Sequence, residues 1–165
     1  MRSCSAGRAR IAGTNVADDV GRKTIADLLR EARDRLDRLG PEETLAAQRA
    51  GALVIDTRSS DERRRNGIIP SSIHIPRSVL EWRVDPDATP AFRNPHVDGL
   101  EQRLVLVCAD GYSSSLAAAT LQDLGFASAT DLDGGFAAWR AAGLRIHAAP
   151  DADPDTVPGL GGPDP

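Results

Sequence analysis

The sequence predicts an α/β fold, a three-layer arrangement in which a central, mostly parallel sheet carries helices on both faces. Three observations predict it. Leu53-Val54-Ile55 and Leu104 to Val107 are continuous apolar runs, too short for helices and rich in Leu and Val, the pattern of parallel strands buried on both faces. Segments of helical period stand before, between and after these runs, and such alternation leads to a parallel sheet under two layers of helix. The chain has 165 residues, 41% hydrophobic and 27% charged. That is one domain of the usual ~100–200 residues with a real core, and not two.

In chain order, residues 1–22 are rich in Gly, Ser, Arg and Asp without an apolar period and are expected to form a flexible N-terminal arm. A helix is expected within 23–40: Thr24 and Asp27 form a capping-box pattern, and Ile25, Leu28, Leu29, Ala32, Leu36 and Leu39 follow helical spacing up to the Gly40-Pro41 stop. The domain proper is expected over 41–147. It opens with a helix from Glu42 to Ala50 closed by Gly51, followed by the first apolar strand. Ser59 and Glu62 cap a short helix through Arg65, whose Arg63-Arg64-Arg65 run reads as a solvated face, and Asn66-Gly67 turns the chain. Ile73-His74-Ile75 must be extended before Pro76, because a residue ahead of proline is pushed out of the helical region. Pro86, Pro90 and Pro95 mark Asp85 to Gly99 as a long surface connection. A helix from Ser113 to Leu124 places Ala117, Leu121 and Leu124 on one face. A strand near Ser128 to Leu132, a Gly134-Gly135 turn and a helix through Trp139 complete the pattern. Residues 148–165 read as a disordered C-terminal tail.

Twenty basic and 24 acidic residues give a net charge of −4, which offers no footprint for a nucleic-acid backbone or an anionic membrane. No apolar run approaches the ~18 residues that span a bilayer, and no apolar stretch follows the basic start, so a cytoplasmic protein is expected. Two cysteines, Cys4 and Cys108, are too few for a disulfide framework or a zinc site, and His96 and His147 lack metal-ligand spacing. No metal and no cofactor are expected. Nothing in the sequence speaks to the oligomeric state.

Cys108 is the residue to weigh as a nucleophile. It ends an apolar strand, and Ala109-Asp110-Gly111-Tyr112-Ser113 links it to a helix starting near Ser113. A strand-loop-helix corner of this length can curl into a cup whose N–H groups and helix N-terminus face the sulfur and favour an anion there. A free thiol, with its pKa of about 8.5, is only a few per cent ionised at neutral pH, and a helix N-terminus lowers that value. The residues alone leave a second reading open, a small buried hydrophobe closing a strand.

Four segments in order resemble the rhodanese-like domain family of sulfurtransferases. Leu53-Val54-Ile55-Asp56-Thr57-Arg58 resembles the family's strand ending in Asp-x-Arg, and Gly67 to Pro76 is similar to its G-x-I-P-G-A-x-x-I-P segment, with Ser71 and Ser72 in place of Gly-Ala. Cys108 with its loop follows, and Asp133-Gly134-Gly135-Phe136, Trp139 and Gly143 resemble the G-G-x-x-x-W-x-x-x-G ending. The resemblance spans about Gly40 to Leu144. It implies that Cys108 takes sulfane sulfur from a donor, holds it as a persulfide and passes it to a thiophilic acceptor, a small molecule or a protein thiol. It further implies an anion cradle from Ala109, Asp110, Gly111, Tyr112, Ser113 and Ser114, with Asp56 and Arg58 organising the loop from the neighbouring strand. His74 is expected to serve core hydrogen bonding, Phe136 and Trp139 to pack in the core, and Tyr112 to stand at the pocket mouth. Cys4 reads as a spectator thiol.

The chain departs from the family at Ser113, where many active members carry Arg, and Asp110 adds a negative charge to the loop. At ~6 Å, with an effective dielectric of 20 to 80, that carboxylate opposes a thiolate by about 0.7 to 3 kcal/mol. Unless Asp110 points to solvent, or Arg58, Arg77 or Arg83 folds over the loop, a doubly charged donor such as thiosulfate is disfavoured. A low-molecular-weight or protein persulfide is then the expected donor. A catalytically weak or inactive module used for protein binding or regulation is the alternative. Phosphatase chemistry is disfavoured because tyrosine-type phosphatases place Arg six positions after the cysteine to grip the phosphoryl oxygens, and here that residue is Ser114.

Overall fold

The computed structural model describes residues 21–150. The expected N-terminal arm, the expected C-terminal tail and Cys4 fall outside these residues wholly or for the most part. Four strands, β1 (Leu53–Asp56), β2 (Ile73–His74), β3 (Leu104–Val107) and β4 (Thr130–Asp131), form one sheet in the order β2-β1-β3-β4 with every pairing parallel. Among the described residues six α-helices accompany it: α1 (Ile25–Arg35), α2 (Pro41–Arg49), α3 (Ser60–Asn66), α4 (Leu80–Val84), α5 (Ser113–Asp123) and α6 (Gly135–Ala141).

Side chains alternate across a strand, so each short apolar run feeds two cores. Ile55, Leu104 and Leu106 pack on one face with Leu80 and Val84 of α4 and with Ala117, Ala118 and Leu121 of α5. Val54, Val105 and Val107 pack on the other with Leu132 and with Phe136 and Trp139 of α6. A strand buried on both sides must be apolar at every position, which is why the runs are continuous rather than alternating. Helix α1 lies along α5 and buries Ala32. Among the described residues no helix is long and apolar enough to cross a membrane.

Three local expectations change. Helix α1 stops at Arg35 although apolar spacing continues to Leu39. Leu39 is used at the sheet edge instead: its N–H donates to the Asp131 carbonyl at 3.0 Å, and its own carbonyl accepts from the Asp133 N–H at 2.8 Å. Helix α4 has no counterpart in the sequence reading. It is one short turn with no side-chain cap, set by the burial of Leu80 and Val84 four residues apart. The third change concerns Arg63, which is buried rather than solvated and reaches Asp56 at 3.4 Å, whereas its neighbours Arg64 and Arg65 are exposed.

Asp56 thus closes β1 with two buried guanidiniums on one carboxylate. Arg58 binds it in a fork, Nε to Oδ1 at 2.9 Å and Nη2 to Oδ2 at 2.6 Å, and lies over the Phe136 ring at 3.6 Å. His74 Nε2 sits 2.8 Å from the Arg58 carbonyl, the core role expected of it. Removing one partner of such a group leaves buried charge uncompensated. Asp56→Ala is therefore expected to lower unfolding free energy in urea by about 3–5 kcal/mol, and a loss below about 1 kcal/mol would contradict this account of the strand end.

Candidate active site

In an open parallel sheet the ligand crevice lies at the carboxyl ends of strands where the chain leaves in opposite directions. Here the chain leaves β1 for β2 on one side and leaves β3 for β4 on the other, so that crevice is at the ends of β1 and β3. Cys108 follows β3 directly. The two strand ends are tied together by Thr57, whose N–H and hydroxyl donate to the Val107 carbonyl at 2.8 and 2.9 Å.

The Cys108 sulfur is 3.1 Å from the Gly111 N–H, which donates to it, and 3.1 Å from Ser114 Oγ at the start of α5. The loop closes this tightly because its carbonyls are held from outside. The first turn of α6 donates from Phe136 N–H to the Cys108 carbonyl at 2.9 Å and from Ala137 N–H to the Ala109 carbonyl at 3.0 Å. The Gly111 carbonyl accepts from Arg33 Nη2 at 2.9 Å and Arg38 Nη2 at 3.1 Å. In a planar trans peptide the N–H points opposite to the C=O. These contacts therefore turn the N–H groups of Ala109, Asp110 and Tyr112 away from α6 and the two arginines.

Glycine is required where the loop touches its support. Gly111 has φ +77°, and a Cβ there would lie 2.7 Å from the Gly134 nitrogen. Gly135 has φ +60°, and its Cβ would lie 2.5 Å from the Cys108 oxygen and 2.6 Å from the Gly111 nitrogen. The Gly-Gly pair noted in the sequence as a turn is thus the floor on which the cysteine loop rests.

Cys108 is buried and unpaired in any disulfide. Burial pushes its thiol up, but the Ser113 and Ser114 hydroxyls and the N–H groups of Ser114 and Gly111 act in the opposite direction and prevail, leaving it below the ordinary thiol value. Asp110 and Tyr112 face solvent, and Arg33 lies over the Tyr112 ring at 5.4 Å. Each of the three arginines considered from the sequence has a bonding partner outside the loop. Arg58 is bound to Asp56, Arg77 to Glu81 at 2.7 Å, and Arg83 donates to the Phe92 carbonyl at 2.7 Å. A cleft of about 120 Å³ beside the loop is lined by Arg58, Ala109, Asp110, Phe136 and Arg140, among others.

The sequence reading did not single out Arg33, Arg38, Ser115 or Asp131. Asp131 is fully buried in β4 and accepts from Ser114 Oγ at 3.0 Å, from Ser115 Oγ at 2.8 Å and from Arg38 through a fork of 2.8 and 3.1 Å. The available signal was a carboxylate in a two-residue strand next to Leu132, a position that must be buried and must find donors.

A family model described as Rhodanese-like domain matches residues 40–142. The thiosulfate sulfurtransferase GlpE of Pseudomonas savastanoi pv. phaseolicola is 34% identical over 105 residues, 63% of this chain and 87% of that protein. A structure from Rhodopseudomonas palustris CGA009, titled a protein of unknown function and possible tyrosine phosphatase, superposes with a TM-score of 0.69 at 34% identity, covering 76% of this chain and 95% of that one. The human single-domain sulfurtransferase TSTD1 gives a TM-score of 0.52 at 26% identity, over 63% of this chain and 95% of that one.

A thiol held below its ordinary value ionises at lower pH, so the rate of Cys108 alkylation should rise with pH through a midpoint lower than that of a free cysteine. Ser114→Ala removes one of the donors and should move the midpoint upward by about half a unit or more. A midpoint at or above that of free cysteine in the parent chain overturns this reading.

Proposed function

The chain belongs to the rhodanese-like domain family, and from that premise we propose that it is a sulfurtransferase carrying sulfane sulfur as a persulfide on Cys108. The observation that supports this most directly is the Gly111 N–H and the Ser114 hydroxyl converging on Sγ at the mouth of α5. A thiolate attacks a sulfane sulfur and expels the rest of the donor with the electron pair of the broken bond. With thiosulfate, Cys–S⁻ and S–SO₃²⁻ give Cys–S–S⁻ and SO₃²⁻. A thiolate acceptor RS⁻ then attacks the outer sulfur, giving RS–S⁻ and restoring Cys–S⁻. Both steps keep one negative charge on sulfur, so donors fixed in place before the reaction stabilise reactant, transition state and product sulfur alike without reorganising. We assign that cradle to the N–H groups of the loop from Ala109 to Ser114 together with the Ser113 and Ser114 hydroxyls.

The donor question turns on Asp110. Its exposure places its charge in a medium close to water, where at ~6 Å it opposes each unit of donor charge by about 0.7 kcal/mol, the low end of the range. The objection to thiosulfate is thereby weakened, and relatives at 34% identity are named thiosulfate sulfurtransferases. We propose that thiosulfate is accepted alongside small or protein persulfides, with Asp110 tilting the preference toward donors of lower charge. The phosphatase description carried by one structural relative finds no support in this loop. At the sixth position after the cysteine stands Ser114, engaged with Sγ and Asp131, and no guanidinium.

Exposure to thiosulfate or glutathione persulfide, followed by intact-mass measurement, is expected to add one sulfur atom to the parent chain and none to Cys108→Ser. An unmodified parent with every donor points to the binding-module alternative. Asp110→Asn is expected to raise kcat/KM for thiosulfate about threefold to tenfold and to change the persulfide reaction less. Equal effects on both donors contradict the charge argument.

A further inference from the structure

The residues that match the family begin at 40, yet the segment before them reaches the reactive loop. Arg38, between α1 and Gly40, has 15% of its side chain exposed. It uses Nε and Nη2 on Asp131, Nη1 on Asp133 at 2.6 Å and a second Nη2 hydrogen on the Gly111 carbonyl.

Counting hydrogens at this cluster decides where the Ser114 proton goes. The Ser114 hydroxyl has one hydrogen and two acceptors in reach, Sγ at 3.1 Å and Asp131 Oδ2 at 3.0 Å. A carboxylate oxygen offers about two lone-pair sites. Those of Oδ2 are filled by Arg38 Nη2 and by the Ser115 hydroxyl. The Gly111 carbonyl is a second acceptor for the Ser115 hydroxyl at 3.2 Å, but Arg33 and Arg38 already occupy that oxygen and Asp131 Oδ2 is nearer at 2.8 Å. The Ser114 hydrogen is the surplus one at Asp131.

We propose that Arg38 is a positioning residue for the reactive sulfur: by pairing with Asp131 it frees the Ser114 hydroxyl to donate to Cys108. The segment preceding the family match is then a working part of the site. In the uncharged thiol the S–H can donate to Ser114, whose own hydrogen is then a third, crowded donor at Asp131 Oδ2. As the sulfur becomes an anion the hydroxyl turns to it, and Arg38 keeps Asp131 satisfied. Without Arg38, an open lone pair and an unbalanced charge on Asp131 reclaim the hydroxyl and oppose the sulfur anion. This deepens the reading of Cys108 as the sulfur carrier and rests on it.

The other charged groups around the loop are Asp110 within it, Asp133 after β4, the Asp56–Arg58 pair at the end of β1, Arg33 on the Gly111 carbonyl, and Glu62 and Arg140 at the neighbouring cleft. The test leaves all of them in place. Alkylation of the full chain by iodoacetamide is followed across pH on the Cys108 peptide by mass spectrometry, for the parent, Arg38→Ala, Asp131→Asn and the double variant. Arg38→Ala is expected to raise the midpoint by about half to one pH unit, Asp131→Asn to leave it or lower it, and the double variant to return it toward the parent. A purely structural role for Arg38 changes unfolding without this crossed pattern. An unchanged midpoint in folded Arg38→Ala, a rise that Asp131→Asn does not reverse, or a rise in Asp131→Asn alone each overturns the proposal. If Arg38→Ala does not fold, the direction of the Asp131→Asn shift decides. Alkylation needs no sulfur donor, so a chain that takes up no sulfur still reports on the pairing, and the two readings fail separately.

Discussion

Two stretches of backbone, Cys108 to Gly111 and Gly134-Gly135, lie closer than any side chain would permit, and the geometry of the site follows from that approach. A single Cβ on Gly135 would fall 2.5 Å from the Cys108 oxygen and 2.6 Å from the Gly111 nitrogen. Because the two chains touch directly, the first N–H groups of α6 can take the Cys108 and Ala109 carbonyls. The carbonyls are thereby removed from the side where the sulfur sits. What remains near the sulfur is the Gly111 N–H, which donates to it, the Ser114 hydroxyl at 3.1 Å and the opening turn of α5. The balance between burial, which disfavours a charged sulfur, and these donors, which favour it, is set by backbone placement more than by charged side chains.

That separation of labour fits the low net charge of the protein. A site that binds anions through main-chain donors needs no basic patch, and the arginines nearby have other tasks. Arg58 compensates Asp56 and stacks on Phe136. Arg33 and Arg38 hold a loop carbonyl from outside. Together they immobilise the wall of the cup, and the reaction proposed for Cys108 depends on donors that do not move when charge shifts along the sulfur chain.

Much of this was legible in the sequence because local rules and the tertiary fold agree. Continuous apolar runs became strands buried on both faces, the capping boxes at Thr24 and Ser59 became helix starts, and Cys108 lies at the end of β3 where the motif put it. Legibility failed where a distant partner overrode local pattern. Leu39 abandons helical spacing to pair with Leu132 across the sheet edge, and α4 exists only because Leu80 and Val84 find a core to enter. Arg63 looks like its exposed neighbours until Asp56 is seen beneath it. The Arg38–Asp131–Ser114 cluster joins three places 17 to 93 residues apart in the chain. No spacing rule connects them, and only the buried Asp131, a carboxylate in need of donors, hinted that a partner had to exist.

The central claim is that the cup holds sulfur as an anion. It is tested most directly by a crystal structure of the full chain after exposure to a sulfane donor. The account predicts a second sulfur bonded to Cys108 Sγ, inside the loop and within hydrogen-bonding distance of its N–H groups. A second sulfur pointing away from the loop into solvent, or bound to a different residue, contradicts it.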